Sequence, residues 1–155
     1  MESIIDKIQN NVDITTKQPC SNEDIRARLI LLQATNFAPP PLEYLQFIQK
    51  INGIKSFDAC IYGCYEKSNS NFIDFLDKNI LLDRSDKMSI ITLGENTMDY
   101  LVYNKNNENY ETRDLKTDQV TFTFKTLKDA LSYFLALDNE EWQHPAKNDD
   151  TKLKN

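Results

Sequence analysis

The chain has 155 residues and carries 24 acidic against 18 basic side chains, which gives a net charge of −6 at pH 7. This length suits a single domain that buries a core without help from metal ions or disulfide bonds. The acidic balance argues against a nucleic-acid-binding surface, which is normally basic. It permits a basic protein partner, and it equally fits a charge that only keeps the protein soluble.

No stretch of the sequence is typical of a secreted or membrane protein. The first residues, MESIIDKIQNN, lack the basic segment and the apolar segment of a signal peptide. The most apolar run, LILLQA, is far shorter than a membrane span. We therefore expect a cytoplasmic protein without a membrane partner.

Apolar side chains at helical spacing predict five helices. Ser21 or Asn22 is expected to cap the second helix, and Ser70 or Asn71 the fourth. Thr126 opens the fifth helix, and the segment NVDITTKQPC between the first two helices is expected to be a loop. The expected helices cover residues 3–9, 22–34, 41–51, 72–81 and 126–135.

The third helix lies in the segment PPPLEYLQFIQKING. Pro41 fits the first helical position, where its missing N–H costs nothing. Asn52 and Gly53 tolerate the left-handed conformation that ends a helix, so we expect about three helical turns between these limits. The apolar stripe of this helix comprises Leu42, Tyr44, Leu45, Phe47, Ile48 and Ile51.

Five segments with apolar and aromatic residues predict strands. In DACIYGCYE, the central Gly63 marks a bulge or a tight contact. TMDYLVYNK is apolar on nearly both faces, whereas DQVTFTFK has one polar face, as an edge strand does. The expected strands cover residues 58–66, 88–95, 97–105, 110–116 and 118–125.

The order of these elements is helices, then a run of strands, then a closing helix. This order predicts an α+β fold with a mainly antiparallel sheet of about four to six strands flanked by helices. We expect one domain over residues 1–137, followed by a polar C-terminal tail over residues 138–155.

Residue types that form catalytic and metal sites are scarce. The single histidine, His144, lies in the predicted tail, which is a poor place for a positioned imidazole. Cys60 and Cys64 would lie ~13 Å apart on a strand, too far for a disulfide, and one CxxxC pair is a weak zinc signal. We expect no catalytic residue, no cofactor and no metal, with Cys20 and the other thiols free and buried.

Several carboxylates fall at predicted turns. Asp83 and Asp86 flank one turn, Glu95 and Asp99 flank another, and Glu66 begins a loop. Such pairs could act in acid–base chemistry or hold a cation, but Asp also favours turns by bonding its own backbone, and this explanation is favoured. Because exposed carboxylates complement a basic partner, these five residues are the candidate partner-binding residues.

Four segments occur in an order that is similar to a known family. PPPLEYLQFIQKINGI has a proline-rich lead, a short helix and an Asn-Gly end, and IYGCYE has an aromatic-Gly strand. ITLGENTMDYLVYN has a strand ending in Gly94 and a tyrosine-rich strand, and the following segment has the strand Tyr110-x-x-x-Asp114 and a closing helix. Over about residues 20–137 this order resembles the SUKH superfamily, the Smi/Knr group of bacterial immunity proteins and their fungal relatives.

The resemblance implies an α+β fold and no catalysis. Many bacterial members of the superfamily are encoded beside polymorphic or contact-dependent toxins, bind the cognate toxin and block it in the cytoplasm. The resemblance therefore implies a single-domain immunity protein whose partner is a bacterial toxin domain, such as a nuclease. The toxin-binding surface varies among members, so the resemblance assigns no binding residue.

Two other functions fit the sequence. The first is a regulatory scaffold, like the fungal relatives, that binds a host protein without any toxin. A toxin gene directly upstream would favour immunity over this alternative. The second is a small enzyme that uses Cys64 or a carboxylate pair, and a reactive, accessible thiol would support it.

Overall fold

The computed structural model describes residues 2–65 and 72–137, which form an α+β fold with one antiparallel sheet. The helices are α1 (Glu2–Gln9), α2 (Asn22–Ala34), α3 (Leu42–Ile48), α4 (Phe75–Leu82) and α5 (Leu127–Phe134). The strands are β1 (Thr15–Thr16), β2 (Ile54–Lys55), β3 (Ala59–Ile61), β4 (Ile90–Asn96), β5 (Asp99–Asn104), β6 (Asn109–Asp114) and β7 (Val120–Phe124). The strands are hydrogen-bonded in chain order from β1 to β7. The predicted fold class is confirmed, and the seven strands slightly exceed the expected four to six.

Two very short strands account for the higher strand number. β1 lies in NVDITTKQPC, which was predicted to be a loop, and it pairs with β2 through Thr15↔Lys55 and Thr16↔Ile54. Two residues cannot display the alternation by which a strand is recognised in a sequence. The two strands extend the sheet beyond β3, and β7 forms the opposite edge, as its polar face predicted.

The predicted strand DACIYGCYE is shorter than expected, because the chain leaves the sheet at Gly63. Tyr62 still donates its N–H to the C=O of Leu93 at 2.8 Å. The backbone of Gly63 instead forms hydrogen bonds with residues at the start of α4. Its N–H donates to the C=O of Ile73 at 3.0 Å, and its C=O accepts from the N–H of Phe75 at 2.8 Å.

The side chain of Asn79 on α4 covers the part of β4 that β3 leaves unpaired. Its amide accepts from the N–H of Thr92 at 2.9 Å and donates to the C=O of Thr92 at 2.9 Å, as a neighbouring strand would. It also donates to the C=O of Phe75 at 2.7 Å. Asn79 is buried, so this amide satisfies backbone groups that would otherwise lack partners inside the protein.

The helix in PPPLEYLQFIQKING is shorter than predicted. α3 has seven residues and makes two turns rather than three, and Pro41 precedes it as the N-cap residue instead of occupying the first helical position. Leu42 was expected in the buried stripe but is 69% exposed, because the face that meets the core is centred on later residues. These buried residues are Tyr44, Phe47, Ile48 and Ile51.

The Asn-Gly pair after α3 binds the segment that follows β3. The buried amide of Asn52 donates to the C=O of Cys64 at 2.9 Å and accepts from the N–H of Cys64 at 2.7 Å. The hydroxyl of Tyr65 donates to the C=O of Asn52. A side-chain carbon on Gly53 or Gly63 would overlap these groups, and Gly53 also has a left-handed φ of 81°. Close backbone approach therefore requires glycine at both positions, and the tight contact predicted at Gly63 is confirmed.

α4 begins three residues later than predicted, because Asp74 is its N-cap. The Oδ2 atom of Asp74 accepts from the backbone N–H groups of Leu76 and Asp77 at 3.1 Å each. These are donors that the first turn of a helix leaves without partners. The predicted caps, Ser70 and Asn71, lie outside the described residues.

An ion pair between buried Asp74 and partly buried Arg28 joins α2 to the start of α4. The Oδ1 atom of Asp74 accepts from Nε of Arg28 at 2.6 Å and from the N–H of Tyr65 at 2.8 Å. Arg28 also donates to the C=O of Tyr65 at 2.9 Å. Burial lowers the pKa of Arg28, but the hydrogen bond and charge of Asp74 outweigh burial and raise this pKa above its usual value. The pair therefore holds two helices and the segment around Tyr65 at one point.

α5 closes the fold by packing against β6 and β7. The ring of Tyr133 lies 4.8 Å from that of Phe122 and 5.4 Å from that of Phe124, measured between centroids. Of the two predicted caps of α2, Ser21 is the N-cap, and its hydroxyl accepts a backbone N–H group at 3.1 Å. Thr126, which was expected to open the fifth helix, is the N-cap of α5, and its hydroxyl accepts a backbone N–H group at 3.2 Å. Among the described helices, none is long and apolar enough to cross a membrane.

Candidate functional site

Three turns lie side by side at one end of the sheet, joining β2 to β3, β4 to β5 and β6 to β7. The pairing of Ala59 with Asn96 places the first turn beside the second. The N–H of Leu115 donates to the C=O of Met98 at 2.9 Å, which joins the second turn to the third. We call this region the turn-end surface, and it comprises Phe57, Asp58, Met98, Asp99, Asp114 and Leu115.

The turn-end surface presents apolar side chains to solvent. Phe57 is 96% exposed, Met98 70% and Leu115 36%. Phe57 stands on a short turn closed on both sides, since the N–H of Ser56 donates to the C=O of Ala59 at 2.9 Å and the N–H of Ala59 donates to Oγ of Ser56 at 3.3 Å. An aromatic ring on a hydrogen-bonded turn suits an anchor residue, because phenylalanine and methionine are enriched in protein interfaces.

Two carboxylates of the turn-end surface repel each other. Asp99 and Asp114 lie directly opposite on β5 and β6, where Cβ atoms are about 5 Å apart. The pKa of Asp99 is raised, first by burial and then by the charge of Asp114. The pKa of Asp114 is lowered, because its carboxylate accepts the N–H groups of Thr117 and Lys116 at 2.8 Å each. A cation brought by a partner would relieve this repulsion.

A small pocket opens beside the turn-end surface. Its volume is about 180 Å³, and its lining includes Asp58, Cys60, Glu95 and Thr97. This volume equals that of about six water molecules in the liquid, so one long side chain could enter it. Lys55 also lines this pocket, so the charge of its two carboxylates is partly balanced within the protein.

The structure separates the five candidates predicted from the sequence. Glu95 and Asp99 lie on the hairpin of β4 and β5, at or beside the turn-end surface. Asp83 and Asp86 lie in the connection between α4 and β4, and Glu66 lies outside the described residues. The four described candidates therefore form two separate pairs.

The carboxylate of Asp86 is bound by arginine side chains of the protein itself. Its carboxylate accepts from Arg84 at 2.9 and 3.3 Å and from Arg113 at 3.5 Å. Burial raises the pKa of Asp86, but the hydrogen bond and charge of Arg84 outweigh it and lower this pKa overall. Arg84 also pairs with Asp118 at 2.7 Å, and Arg113 pairs with Glu111 at 2.8 Å. This network fixes the connection before β4 to β6 and to Asp118 in the turn between β6 and β7, which gives Asp86 a structural role.

Asp83 and Glu95 differ in how accessible their carboxylates are to a partner protein. Asp83 is the C-cap of α4 with a φ of 43°, its side chain is 73% exposed, and it pairs with Lys87 at 3.3 Å. An exposed ion pair of this kind contributes little, so this carboxylate remains available. Glu95 accepts from the hydroxyl of Tyr62 at 2.7 Å and pairs with Lys78 at 3.0 Å. Its charge is therefore partly balanced within the protein.

Sequence reasoning missed Phe57 and Asp58. Both lie in the turn between β2 and β3, and β2 was not predicted. The available signal for this turn was a short Ser-Phe-Asp segment between two apolar stretches. It would have indicated an exposed phenylalanine, because a large apolar residue at the tip of a turn cannot easily be buried. Without the turn, the phenylalanine could as well have belonged to the core.

Larger grooves lie elsewhere, and one of about 240 Å³ includes Lys7 and Leu137. Another of about 830 Å³ lies between α3 and the start of α5 and includes Glu43, whose carboxylate accepts the N–H of Leu127 at 3.0 Å. A third, of about 430 Å³, lies at the end of α2 and includes Phe37 and Met88. Within the described ranges, no group of three or more His, Cys, Asp or Glu residues is placed to hold a metal ion. The turn-end surface is therefore the best candidate site, because it combines exposed apolar side chains with several negatively charged carboxylates.

Comparison with known proteins does not assign this surface a role. No family model matches the chain, and no curated protein or solved structure is significantly similar to it. The functional interpretation depends on the geometry of the surface and on the motif order described above.

Proposed function

We propose that this protein is a non-catalytic, SUKH-like protein-binding domain that neutralises a cognate polymorphic or contact-dependent toxin in the cytoplasm. The observation that carries the proposal is the turn-end surface, where the exposed ring of Phe57 shares one end of the sheet with Asp58, Asp99 and Asp114. The resemblance in motif order supplies the toxin as the partner. The net charge of −6 supports a basic partner, such as a nuclease domain.

The turn-end surface provides both parts of a protein interface. Burial of one phenylalanine removes about 150–250 Å² from water, and full burial of such a side chain contributes roughly 1.5–3 kcal/mol. Phe57 is therefore the expected anchor, with Met98 and Leu115 exposed at the other two turns. Asp58, Asp99 and their neighbours would attract a basic cleft and fix the orientation of the complex.

Of the five predicted partner-binding residues, Glu95 and Asp99 are best placed to contribute. They adjoin Phe57 and Met98 through the pairing of β3, β4 and β5. Asp83 is accessible but belongs to another region. Substitution of Asp86 would damage the arginine network, so a loss of binding in that variant would not locate the interface.

The proposal can be tested with the tagged protein in its source bacterium. Capture from lysate, identification by mass spectrometry and repetition in high salt would identify a stoichiometric partner. The purified partner is then tested for toxic enzymatic activity and for inhibition by an equimolar amount of the protein. We expect a toxin domain whose binding weakens as the salt concentration rises.

Matched variants locate the interface. Phe57→Ser and Met98→Ser should each weaken binding about tenfold or more, because each removes an apolar contact. Leu81→Ser and Met88→Ser are the controls, since these side chains are 77% and 69% exposed outside the turn-end surface. Equal effects of all four variants would reject the turn-end surface as the interface.

A charge reversal tests the electrostatic part of the proposal. Asp58→Lys should slow association and reduce the dependence of affinity on salt, because it replaces an attractive charge by a repulsive one. Glu108→Lys in the turn between β5 and β6, at the other end of the sheet, is the control. Stoichiometric capture of a protein without toxic activity would instead support the regulatory scaffold.

A further inference from the structure

One step of the sequence, Asn52-Gly53, carries a chemical reactivity that the proposed function does not use. It is the single Asn-Gly pair in the 155 residues. Asparagine is thermolabile, because the backbone nitrogen of the following residue can attack its side-chain amide. Glycine in the following position hinders this attack least, since it has no side chain and the most permissive backbone. The sequence therefore places the asparagine most open to this attack shortly after α3.

The fold holds both reacting groups in an unreactive arrangement. The side-chain amide of Asn52 donates to the C=O of Cys64 at 2.9 Å and accepts from the N–H of Cys64 at 2.7 Å, and the residue is only 8% exposed. The N–H of Gly53 donates to the C=O of Ile51 at 2.9 Å. The amide that would be attacked and the nitrogen that would attack it are therefore each bound to another partner.

Neighbouring groups also fix the peptide bond between Asn52 and Gly53. The hydroxyl of Tyr65 donates to the C=O of Asn52. Gly63 lies against the same peptide bond, since a side-chain carbon on it would come within 2.9 Å of the nitrogen of Gly53. Attack on the amide needs both the side chain and the peptide bond to rotate, so it requires these contacts to open.

We propose that Asn52 is a site of spontaneous deamidation that the native fold keeps closed and that unfolding opens. In the open chain the backbone nitrogen of Gly53 loses its proton and forms a bond to Cγ of Asn52. The bond from Cγ to the side-chain nitrogen breaks, and this nitrogen takes up the proton and leaves as ammonia. The resulting succinimide ring then adds one water molecule and opens to aspartate or isoaspartate. The reaction consumes one water and releases one ammonia, and no group is oxidised or reduced.

Neither product fits the site that Asn52 fills. Aspartate has no N–H group to donate, so its second oxygen would face the C=O of Cys64 where the amide nitrogen now lies 2.9 Å away. A buried carboxylate against an unpaired carbonyl destabilises the fold. Isoaspartate also adds a carbon to the main chain beside Gly53, where Gly63 already lies close. A chain that deamidates while unfolded would therefore refold to a less stable protein.

The test compares the rate of deamidation of the full chain in native buffer and in urea, at the same mildly alkaline pH. Peptide mapping by mass spectrometry measures the conversion of Asn52, and a synthetic peptide of residues 47–57 gives the intrinsic rate in both solvents. We expect the chain in urea to react as fast as the peptide and the native protein at least about tenfold more slowly, since an opening free energy of about 1.4 kcal/mol gives that factor. Equal rates in the native protein and in the peptide would overturn the proposal.

Asn79 is the internal control of the same measurement. Its amide is also buried and bound to backbone groups, but Ile80 follows it, and the β-branched side chain of isoleucine hinders attack by the backbone nitrogen. Asn79 should therefore remain unchanged in both solvents during the time that converts Asn52 in urea. Conversion of both residues at one rate in urea would contradict the assignment of the reactive site to the Asn-Gly step.

Variants test the closed state and the effect of the product. Tyr65→Phe removes one contact that fixes the peptide bond and should raise the native rate roughly fivefold, the factor that one hydrogen bond contributes. Tyr103→Phe, on β5, is the matched control and should leave the rate unchanged. Asn52→Asp reproduces one product and should lower the Tm by about 5 °C or more. Equal rates in the two tyrosine variants, or an Asn52→Asp protein as stable as the wild type, would count against the proposal. The wild-type rates decide the question even if a variant fails to fold, and no toxin is involved.

Discussion

Replacement of Asp74 by alanine should be among the most damaging single changes, because it leaves the largely buried Arg28 guanidinium without its carboxylate. The side chains of Arg28 and Asp74 are only 14% and 2% exposed, so water can compensate little. Breaking a buried pair from one side costs about 3–5 kcal/mol, and loss of the cap of α4 adds about 1 kcal/mol. Each kcal/mol lowers the Tm of a domain of this size by about 2–4 °C, so we expect a fall of roughly 10–20 °C.

A double-mutant cycle isolates the ion pair from the cap. Urea unfolding followed by far-UV circular dichroism gives the free energy of unfolding for Asp74→Ala, Arg28→Met and the double variant. The methionine removes the stranded cation, so the double variant should be more stable than the sum of the single effects predicts, by at least about 1.5 kcal/mol. Asp6→Ala, an exposed substitution on α1, should change stability by less than about 0.5 kcal/mol. Additive single effects would refute the coupling of α2 to α4 through this pair.

Gly63→Ala should lower the free energy of unfolding by more than about 2 kcal/mol. The new carbon would lie 2.9 Å from the nitrogen of Gly53 and closer still to the amide oxygen of Asn52. A loss below about 0.5 kcal/mol in urea unfolding would contradict the close contact after α3. Asp99→Asn should stabilise the protein slightly at pH 7, by at most about 0.5 kcal/mol at this half-exposed site. The raised pKa of Asp99 means that ionisation of this side chain favours unfolding. Its contribution to the stability of the fold is therefore fully present below the unfolded pKa of about 4, and it is lost as the pH rises through the folded pKa. Thermal unfolding between pH 3 and pH 7 should show the advantage of asparagine growing with pH, and a constant difference would disprove the repulsion.

The sequence by itself determined the elements whose signals are local. Helical periodicity and capping residues located α2 and α5, and they placed the start of each helix to within a residue of its N-cap. Alternation and turn residues located the strands from β4 to β7, and the single polar face of DQVTFTFK predicted the edge position of β7. These features depend on neighbours within a few residues, so they can be recognised without knowledge of the rest of the fold.

Tertiary structure alone decided the features that depend on distant partners. β1 is a strand only because β2 lies beside it, and Gly63 leaves the sheet because its backbone groups bond residues at the start of α4. In the same way, Asn52 was predicted from local rules to end a helix, whereas its amide binds Cys64, twelve residues away.

The candidate site shows the same division between features set by local sequence and features set by distant contacts. Local composition placed carboxylates at turns, which was sufficient to propose Glu95 and Asp99 as candidates. Only the meander brought those turns to one end of the sheet, exposed Phe57 there and set Asp99 opposite Asp114. The physical reason is that side-chain exposure and non-local contacts are properties of the packed chain, whereas turn and helix signals are properties of short segments.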